Sequence, residues 1–329
     1  MRPLVRTARL HAVKRLQCPN CGNEIFFDSL NCVRCLTGLA VELRGRSAIS
    51  VTDVADGVPC AHRPTWGCNW LAAAEHPETG EMVCTSCRLV DAAEWATDRR
   101  MILFQTAQRR ALYQLTEFGV PWAGPHSTLR FAYRSKDAGD EAVIGHRGGE
   151  ITLDIDEADP ARGEQIRATL GERYRTPLGH LRHELGHYVW QLLVAGDDNR
   201  LDAFRQLFGD ERLDYATALE EHYGRVDDRS WRDEYVSFYA TSHPWEDFAE
   251  SWAQVMHVHD VVETGAGWGV VHAPADPGDA RAWLATSISA SVAANELARA
   301  MGMRDLYPFA LTAGARAKVA FCWGLVDPS

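Results

Sequence analysis

The sequence predicts an α+β fold, and three observations lead to this class. Eight of the nine cysteines lie before residue 88, in two quartets typical of small β regions built around a bound metal. Short segments of alternating apolar and polar residues between positions 129 and 155 indicate the strands of a small sheet. Beyond residue 176, apolar residues recur every three or four positions over long segments, which indicates a mostly helical C-terminal part.

Three regions follow from this pattern. We place a basic N-terminal extension at residues 1–16, a cysteine-rich β region at 17–90 and a larger domain at 91–329. An apolar content of 46% is enough for the larger domain to form a core. The chain has no run of eighteen apolar residues, and its start lacks the apolar segment of a secretory signal. We therefore expect a cytoplasmic protein without a membrane span.

The charges are unevenly distributed between these regions. Residues 1–100 carry 12 basic and 11 acidic side chains, whereas the remainder carries 22 and 34. The acidic excess of the larger domain argues against nucleic acid as its substrate. The first 46 residues carry 8 basic and 3 acidic side chains, so a protein or nucleic-acid partner for the cysteine-rich region stays an open alternative.

The two cysteine quartets are predicted to hold one structural zinc ion each. The first forms two CxxC pairs, the spacing of the two knuckles of a zinc ribbon or rubredoxin-like fold: Cys18, Cys21, Cys32 and Cys35. The second contains one CxxC pair and two more widely spaced residues: Cys60, Cys68, Cys84 and Cys87. His62 is an alternative ligand in place of Cys60 or Cys68. The spacings suit metal better than disulfides, which also need an oxidising compartment.

Between the cysteines and the helical part, the sequence predicts one helix and three strands. The helix covers residues 92–118, and the strands cover 129–133, 142–144 and 150–155, with a turn at Gly148-Gly149 before the last one. Apolar and polar residues alternate in the last strand, which predicts one buried and one polar face. The side chains expected to be buried in the helix are Trp95, Ile102, Leu103, Ala107, Leu112 and Leu115.

A helix that carries an HExxH motif is predicted to follow. Thr176 is a favoured N-cap residue, and Pro177 suits the first helical position because its missing N–H would have no partner there. Residues 183–187 read His-Glu-Leu-Gly-His, and we expect the helix to end near Gly196.

The motif predicts a zinc site with a general base beside it. His183 and His187 lie one turn apart on one helix face, where both can bind a single zinc ion, and Glu184 is placed to take a proton from water. Gly186 between them allows a neighbouring backbone to approach closely. His180 lies one turn too early to bind the same ion, so we expect it to contact the substrate or the residues around the ligands.

A second helix is predicted to supply the third ligand. Pro244 suits its first position, and two acids one turn apart, Glu246 and Glu250, lie on one stripe of this helix. Like charges at this spacing repel each other unless a cation lies near. We expect Glu246 to bind the zinc ion and Glu250 to accept a hydrogen bond from a ligand histidine. A solvated acidic face is the alternative.

Three segments of this sequence resemble a bacterial family of zinc-binding metallopeptidases that carries an N-terminal zinc-ribbon region. They are residues 180–190 with the HExxH motif, residues 239–252 with the two acids, and residues 305–309, which read Asp-Leu-Tyr-Pro-Phe. The resemblance extends from about Cys18 to near the C-terminus. Residues 239–250 are also similar to the lethal-factor-like zinc endopeptidases, although these have arginine at the position of Ala253.

The resemblance implies a zincin-like metallopeptidase domain with one catalytic zinc ion. On the lethal-factor-like pattern, Glu246 binds this ion and Tyr239 assists catalysis by donating to the oxyanion. The expected function is therefore zinc-dependent hydrolysis of peptide bonds in peptides or proteins, with Glu184 as general base. Zincin-type peptidases place an edge strand along the cleft, where an extended substrate adds by backbone hydrogen bonds, and residues 150–155 are our candidate for it.

Two other function classes remain as alternatives at this point. In the first, the zinc ribbons bind a protein or nucleic acid and the zincin scaffold is not proteolytic. In the second, the same metal chemistry hydrolyses a non-peptide amide. Glu184 argues against the first alternative, because a domain without catalysis has no need of a general base.

Overall fold

A computed structural model describes residues 15–43, 47–51, 57–91, 99–136, 139, 144–162, 176–276, 278–306 and 311–326. Within these residues, short antiparallel strand pairs form the N-terminal part, and a three-stranded sheet with packed helices forms the rest. The predicted α+β class is therefore confirmed. Residues 1–14 of the predicted basic extension at 1–16 and Trp95 lie outside the described residues.

The N-terminal part consists of three two-stranded units. Strand β1 (Leu16–Gln17) pairs with β2 (Glu24–Ile25), β3 (Leu39–Glu42) pairs with β4 (Ser47–Ser50), and β5 (Ala74–Glu75) pairs with β6 (Met82–Val83), all antiparallel. A short helix, α1 (Arg63–Trp66), precedes the third unit. Cys18 and Cys21 lie in the turn between β1 and β2, and Cys84 and Cys87 follow β6.

The sheet of the larger part has the order β7-β9-β8. Strand β7 (Arg130–Arg134) is parallel to β9 (Glu150–Asp154), and β8 (Gly145–Arg147) is antiparallel to it. The turn at 148–149 joins β8 to β9, as the glycine pair predicts. The expected strand at 142–144 is observed three residues later, and positions 142 and 143 are outside the described residues.

Our edge-strand prediction for residues 150–155 is wrong. Strand β9 is the central strand, hydrogen-bonded on both sides, and two of its polar residues are buried: Thr152 is 9% and Asp154 3% exposed. A central strand covered on both faces has no polar face, so alternation was a misleading guide here. The edge strand next to the HExxH helix is β8.

The helices that hold the candidate site are long and pack directly on each other. Helix α2 (Arg99–Glu117) contacts α3 (Pro177–Leu193), and α3 packs along α6 (Pro244–Gly267). The others, which surround this group, are α4 (Asp198–Phe208), α5 (Tyr215–Tyr223), α7 (Ala280–Ala300) and α8 (Ala313–Trp323). No helix in the described parts of the chain is long and apolar enough to cross a membrane.

The predicted helix boundaries and burial hold except at three points. The HExxH helix begins at Pro177 with Thr176 as N-cap, whose hydroxyl accepts from Gly179 N at 3.0 Å, but it ends at Leu193 rather than near Gly196. On α2, Ile102 is only half-buried and Leu103 is 46% exposed, although both were expected to be buried. Helix α2 is described from Arg99, and its predicted start at residue 92 lies outside the described residues.

Gly186 is the point of closest approach between α3 and α6. A Cβ atom at this position would lie 2.8 Å from the Ala249 Cα atom and 3.1 Å from its carbonyl oxygen. Only glycine leaves room for the neighbouring backbone at such a distance. The expected close approach at Gly186 is therefore confirmed, and it brings the motif histidines within reach of α6.

Candidate active site

Three ligand-type side chains converge between α3 and α6. The imidazoles of His183 and His187 and the carboxylate of Glu246 each offer an atom within 4.8 Å of the other two. His183 Nε2 lies 3.0 Å from Glu246 Oε2, and His187 Nε2 lies 3.4 Å from Glu246 Oε1. Two imidazole nitrogens and one carboxylate oxygen form the donor set of an open, hydrolytic zinc site.

The local sequence explains why these side chains meet. The HExxH spacing places both imidazoles on the face of α3 that packs against α6. Gly186 lies on the same face and allows the two helices to approach closely. Glu246 lies in the first turn of α6, which starts at Pro244 with His243 as N-cap; the His243 ring accepts a hydrogen bond from Trp245 N at 3.1 Å. The start of α6 is thus fixed next to the motif.

The charges of the site fit a bound cation. Burial raises the pKa of Glu246, but His187 and His183 outweigh this effect and hold the pKa well below its usual range. Burial lowers the pKa of His183, and hydrogen bonds to Glu246 and Glu250 raise it well above its usual range. Glu246 is 1% exposed, so this carboxylate needs a positive partner. A divalent metal ion satisfies the same requirement.

Glu250 contacts the other nitrogen of His183. Its Oε1 atom lies 2.7 Å from His183 Nδ1. A neutral imidazole carries one N–H, so a proton on Nδ1 that is donated to Glu250 leaves the Nε2 lone pair for a metal. The two acids of α6 thus meet opposite sides of one imidazole ring.

Glu184 is buried and is held through one of its two carboxylate oxygens. His180 Nε2 lies 3.2 Å from Glu184 Oε1, while His180 Nδ1 lies 2.7 Å from Glu157 Oε2. Among the described residues, Glu184 Oε2 has no hydrogen-bond partner, and a Cβ at Gly145 of β8 would lie 4.0 Å from it. Burial raises the pKa of Glu184, but the hydrogen bond with His180 and the nearby histidines outweigh this and lower it.

Tyr239 lies beside the ligands, in a 3₁₀ turn (Tyr239–Thr241) just before α6. Its ring centroid is 5.9 Å from that of His183. The Tyr215 hydroxyl donates to Glu246 Oε1 at 2.7 Å, and the Tyr239 side chain lies near enough to this phenol to act on its pKa. The structure therefore brings both Tyr239 and Tyr215 to the site.

Three residues of the site were missed from the sequence. Tyr215, Glu157 and His146 come from segments without a recognisable motif. The His146 ring stacks near His187 at 6.2 Å between centroids, and its Nε2 accepts from Gly149 N. Burial and the neighbouring His187 lower the pKa of His146 to about 4. The sequence contains no pattern that predicts these contacts, because each one joins segments that meet only in the folded protein.

Both cysteine quartets converge in the N-terminal part. In the first quartet, Cys18 Sγ lies 3.6 Å from Cys35 Sγ, and Cys21 Sγ lies 3.6 Å from Cys32 Sγ. Side-chain and backbone hydrogen bonds from Thr37 lower the pKa of Cys35 to about 5, which favours the metal-binding thiolate.

The second quartet is fully buried, and His62 is not part of it. The four sulfur atoms lie within 4.8 Å of one another, with Cys68 Sγ 3.6 Å from Cys84 Sγ. His62 instead stacks on Trp66 with ring centroids 3.9 Å apart. All four cysteines are thus available as one tetrahedral donor set: Cys60, Cys68, Cys84 and Cys87.

A further group of ligand-type atoms lies between α2 and α6, away from the HExxH motif. Glu117, His259 and Glu263 each offer an atom within 4.8 Å of the other two. All three are buried, and Phe118 packs against the His259 ring. We assign no function to this group.

The fold and the clustered donors define a zinc-binding protein with an N-terminal ribbon region. Two family models match the chain: "Putative zinc-binding metallo-peptidase" over residues 98–325 and a zinc-ribbon domain over residues 15–94. Proteins of Mycobacterium bovis and Mycobacterium tuberculosis, named only as uncharacterized, are 35% identical to it over 96% of both chains. No solved structure matches the chain. The chain belongs to this zinc-binding metallopeptidase family.

Proposed function

We propose that this protein is a zinc-dependent peptidase, with His183, His187 and Glu246 as the ligands of a catalytic zinc ion. The observation that carries the proposal is the position of Glu184. Its carboxylate adjoins the ligand group, is fixed by His180 through one oxygen, and leaves the other oxygen without a partner in the described chain. A structural zinc site needs no such group, whereas a hydrolytic site does.

The roles of the side chains follow from this arrangement. When bound, zinc lowers the pKa of a water ligand towards about 7 and polarises the substrate carbonyl. Glu184 takes the proton of the attacking water and passes it to the leaving amine. Tyr239 donates its hydroxyl proton to the carbonyl oxygen as negative charge develops there. Glu250 holds His183 in the tautomer that binds metal.

Strand β8 is our revised candidate for substrate binding. It is an edge strand, and Gly145 at its start lies beside Glu184. An extended peptide that adds to this edge would pass the general base with its backbone hydrogen bonds satisfied. This geometry favours peptides or unfolded protein segments as the substrate.

We also propose three zinc ions per chain, one catalytic and two structural. The two four-cysteine clusters are closed tetrahedral sets, whereas the catalytic site has three protein ligands. Metal analysis of carefully purified protein should give three zinc ions, and a mild chelator should remove one of them first. A single zinc ion per chain would show that the ribbon assignments are wrong. The nine cysteines are all free, which suits a reducing compartment such as the cytoplasm.

An unbiased peptide-library digestion tests the proposed activity. The wild-type protein should cleave a subset of peptides, while Glu184→Gln should cleave none and keep its zinc, because glutamine is nearly isosteric but cannot accept the proton. A library that contains non-peptide amides separates the amidase alternative. Equal cleavage by both proteins would refute the role of Glu184.

A partner-binding function of the ribbon is the second candidate. Three apolar side chains around the first quartet are strongly exposed: Phe26 (79%), Val33 (86%) and Leu36 (78%). An apolar surface favours a protein partner over a nucleic acid. If the library shows no cleavage by any variant, this candidate becomes the better account of the chain.

A further inference from the structure

Tyr215 is connected to the candidate metal centre by a direct hydrogen bond. Its hydroxyl donates to Glu246 Oε1 at 2.7 Å, an ordinary distance for a hydroxyl-to-carboxylate bond. Glu246 Oε2 lies closer to His183, at 3.0 Å from Nε2. The Tyr215 phenol therefore donates its hydrogen bond to Oε1 of Glu246, and Oε2 remains available to bind a metal.

The position of Tyr215 is fixed by the starts of two helices. Tyr215 is the first residue of α5, whose N-cap Asp214 accepts from Thr217 N at 2.8 Å. His243, the N-cap of α6, lies 3.2 Å through its Nε2 from the carbonyl oxygen of Leu213. Since His243 Nδ1 accepts from Trp245 N, the proton is on Nε2, and His243 donates to Leu213.

This contact ties the two helix starts together. The Tyr215 ring also packs edge-on against His243, with centroids 5.3 Å apart, and lies 6.2 Å from the Trp245 ring. The phenol is therefore oriented before any metal binds. Such orientation lowers the entropy cost of holding the carboxylate in one rotamer.

We propose that Tyr215 is a positioning residue that orients Glu246 for zinc binding. The inference rests on the zinc site of the proposed function but not on peptide hydrolysis. Tyr215 and Tyr239 then have separate tasks: Tyr215 holds the ligand, and Tyr239 is the donor available to a substrate.

Zinc affinity of the full-length protein tests this role without a substrate. The open site is emptied with a mild chelator and refilled in competition with a chromophoric chelator. Loss of a hydrogen-bond partner of a metal ligand typically lowers metal affinity by about 10- to 100-fold, and we expect this for Tyr215→Phe. Tyr223→Phe, on the exposed side of the same helix, is the matched control and should stay within about twofold of wild type.

Two further measurements separate positioning from a general structural effect. Cobalt placed in the emptied site should show a changed absorption spectrum in Tyr215→Phe and an unchanged one in Tyr223→Phe. In a Glu246→Gln background, Tyr215→Phe should have no additional effect, because the two residues act through one contact. Wild-type affinity and spectrum in Tyr215→Phe, or a full additional loss in the double variant, would overturn the proposal. Absence of peptide cleavage would leave this result unaffected.

Discussion

At the scale of single residues, His183 shows how one side chain can organise the site. Its two ring nitrogens face two acids of the same helix, Glu246 at 3.0 Å and Glu250 at 2.7 Å. The acids are one turn apart and chemically identical, so only their position distinguishes them. The Glu246 carboxylate lies close to His187 as well, at 3.4 Å from its Nε2. Of the two histidines, the Glu250 carboxylate contacts His183, through Nδ1.

This difference predicts unequal effects of two matched substitutions. Glu246→Gln removes a charged ligand and should weaken zinc binding at this site more strongly than the loss of a residue that only supports a ligand. Glu250→Gln keeps a hydrogen-bond acceptor and should lower zinc affinity by about 10- to 100-fold. Chelator competition measures both, and Glu220→Gln on the exposed surface of α5 is the control. If Glu250→Gln loses the metal and Glu246→Gln retains it, the ligand is the other acid.

A second prediction at this scale concerns Tyr239. Removal of a donor aimed at a developing oxyanion typically costs about 2.7–4 kcal/mol, or roughly a hundred- to a thousand-fold in kcat. Tyr239→Phe should therefore lower kcat by this factor with little change in KM, zinc content or thermal stability. Steady-state kinetics on a peptide identified from the library measures it. Near-normal turnover would mean that the hydroxyl serves only the structure of the site.

The sequence predicts the parts of the site that depend on helical spacing. His183, Glu184 and His187 follow from the motif, and Glu250 is found at His183 because it lies one turn from Glu246. Tyr215 lies 31 residues before Glu246 and Glu157 lies 23 before His180, in segments with no common period. Their contacts depend on how separate elements pack, and a single sequence carries no signal for that.

At the scale of elements, the crossing of α3 and α6 determines the distance between the ligands. The crossing point is Gly186, where the backbone of Ala249 occupies the space that a side chain would need. Trp252, one turn further along α6, also lies within 3.2 Å of that space through its Cβ. The helices therefore cannot accept a larger residue there without moving apart.

Gly186→Ala should destabilise the protein, although alanine is the better helix former. Helix propensity favours alanine by about 1 kcal/mol. The clash involves a helix backbone that cannot move aside, and overpacking of this kind costs typically about 1–3 kcal/mol. We expect a lower Tm together with weaker zinc binding, because the separation of α3 and α6 also moves Glu246 away from the histidines.

Gly196→Ala is the matched control, since nothing lies within 4 Å of a Cβ at that position. It should be neutral or slightly stabilising, because alanine restricts the unfolded chain. A higher Tm in Gly186→Ala, with unchanged zinc affinity, would show that the helix contact adjusts freely.

The sheet shows a limit of prediction at this scale. Apolar and polar residues alternate in 150–155, and this pattern predicts one polar face, while the zincin-type resemblance suggested an edge strand there. Strand β9 is central, and Asp154 is buried, with its side chain accepting from Asp156 N at 3.1 Å in the following 3₁₀ turn. A local pattern reports polarity, but not whether another strand or helix covers the polar side.

At the scale of the whole molecule, the ribbon region and the larger domain share one core. Gln108 of α2 donates to the carbonyl oxygen and to the hydroxyl of Ser86, both at 2.9 Å. Arg109, which is 1% exposed, reaches the carbonyl oxygen of Gly67 at 3.2 Å. The sequence predicts the division into regions, since cysteine spacing is local. It does not predict that the second quartet packs on α2.

This shared core predicts that damage to the buried quartet spreads to the whole chain. Cys87 is a member of that quartet and adjoins Ser86, which is bonded to α2, and α2 packs on the HExxH helix. Cys87→Ser removes one zinc ligand from a buried site, a change expected to cost about 4 kcal/mol or more. For a chain of this size, that lowers Tm by roughly 8 °C or more. Since the core is continuous, the ribbon and the larger domain should unfold in a single transition, followed by near-UV circular dichroism and zinc release.

Cys21→Ser, in the half-exposed first quartet, is the matched comparison for Cys87→Ser. It should lower Tm less, because two cysteines of the first quartet are partly exposed and its neighbours Phe27 and Asp28 reach α2 through contacts with Tyr113 and Arg110. Two separate transitions in Cys87→Ser, with the second at the wild-type temperature, would show that the regions are energetically independent. A single transition at a lowered temperature means that zinc in the ribbon also stabilises the helices that hold the HExxH motif.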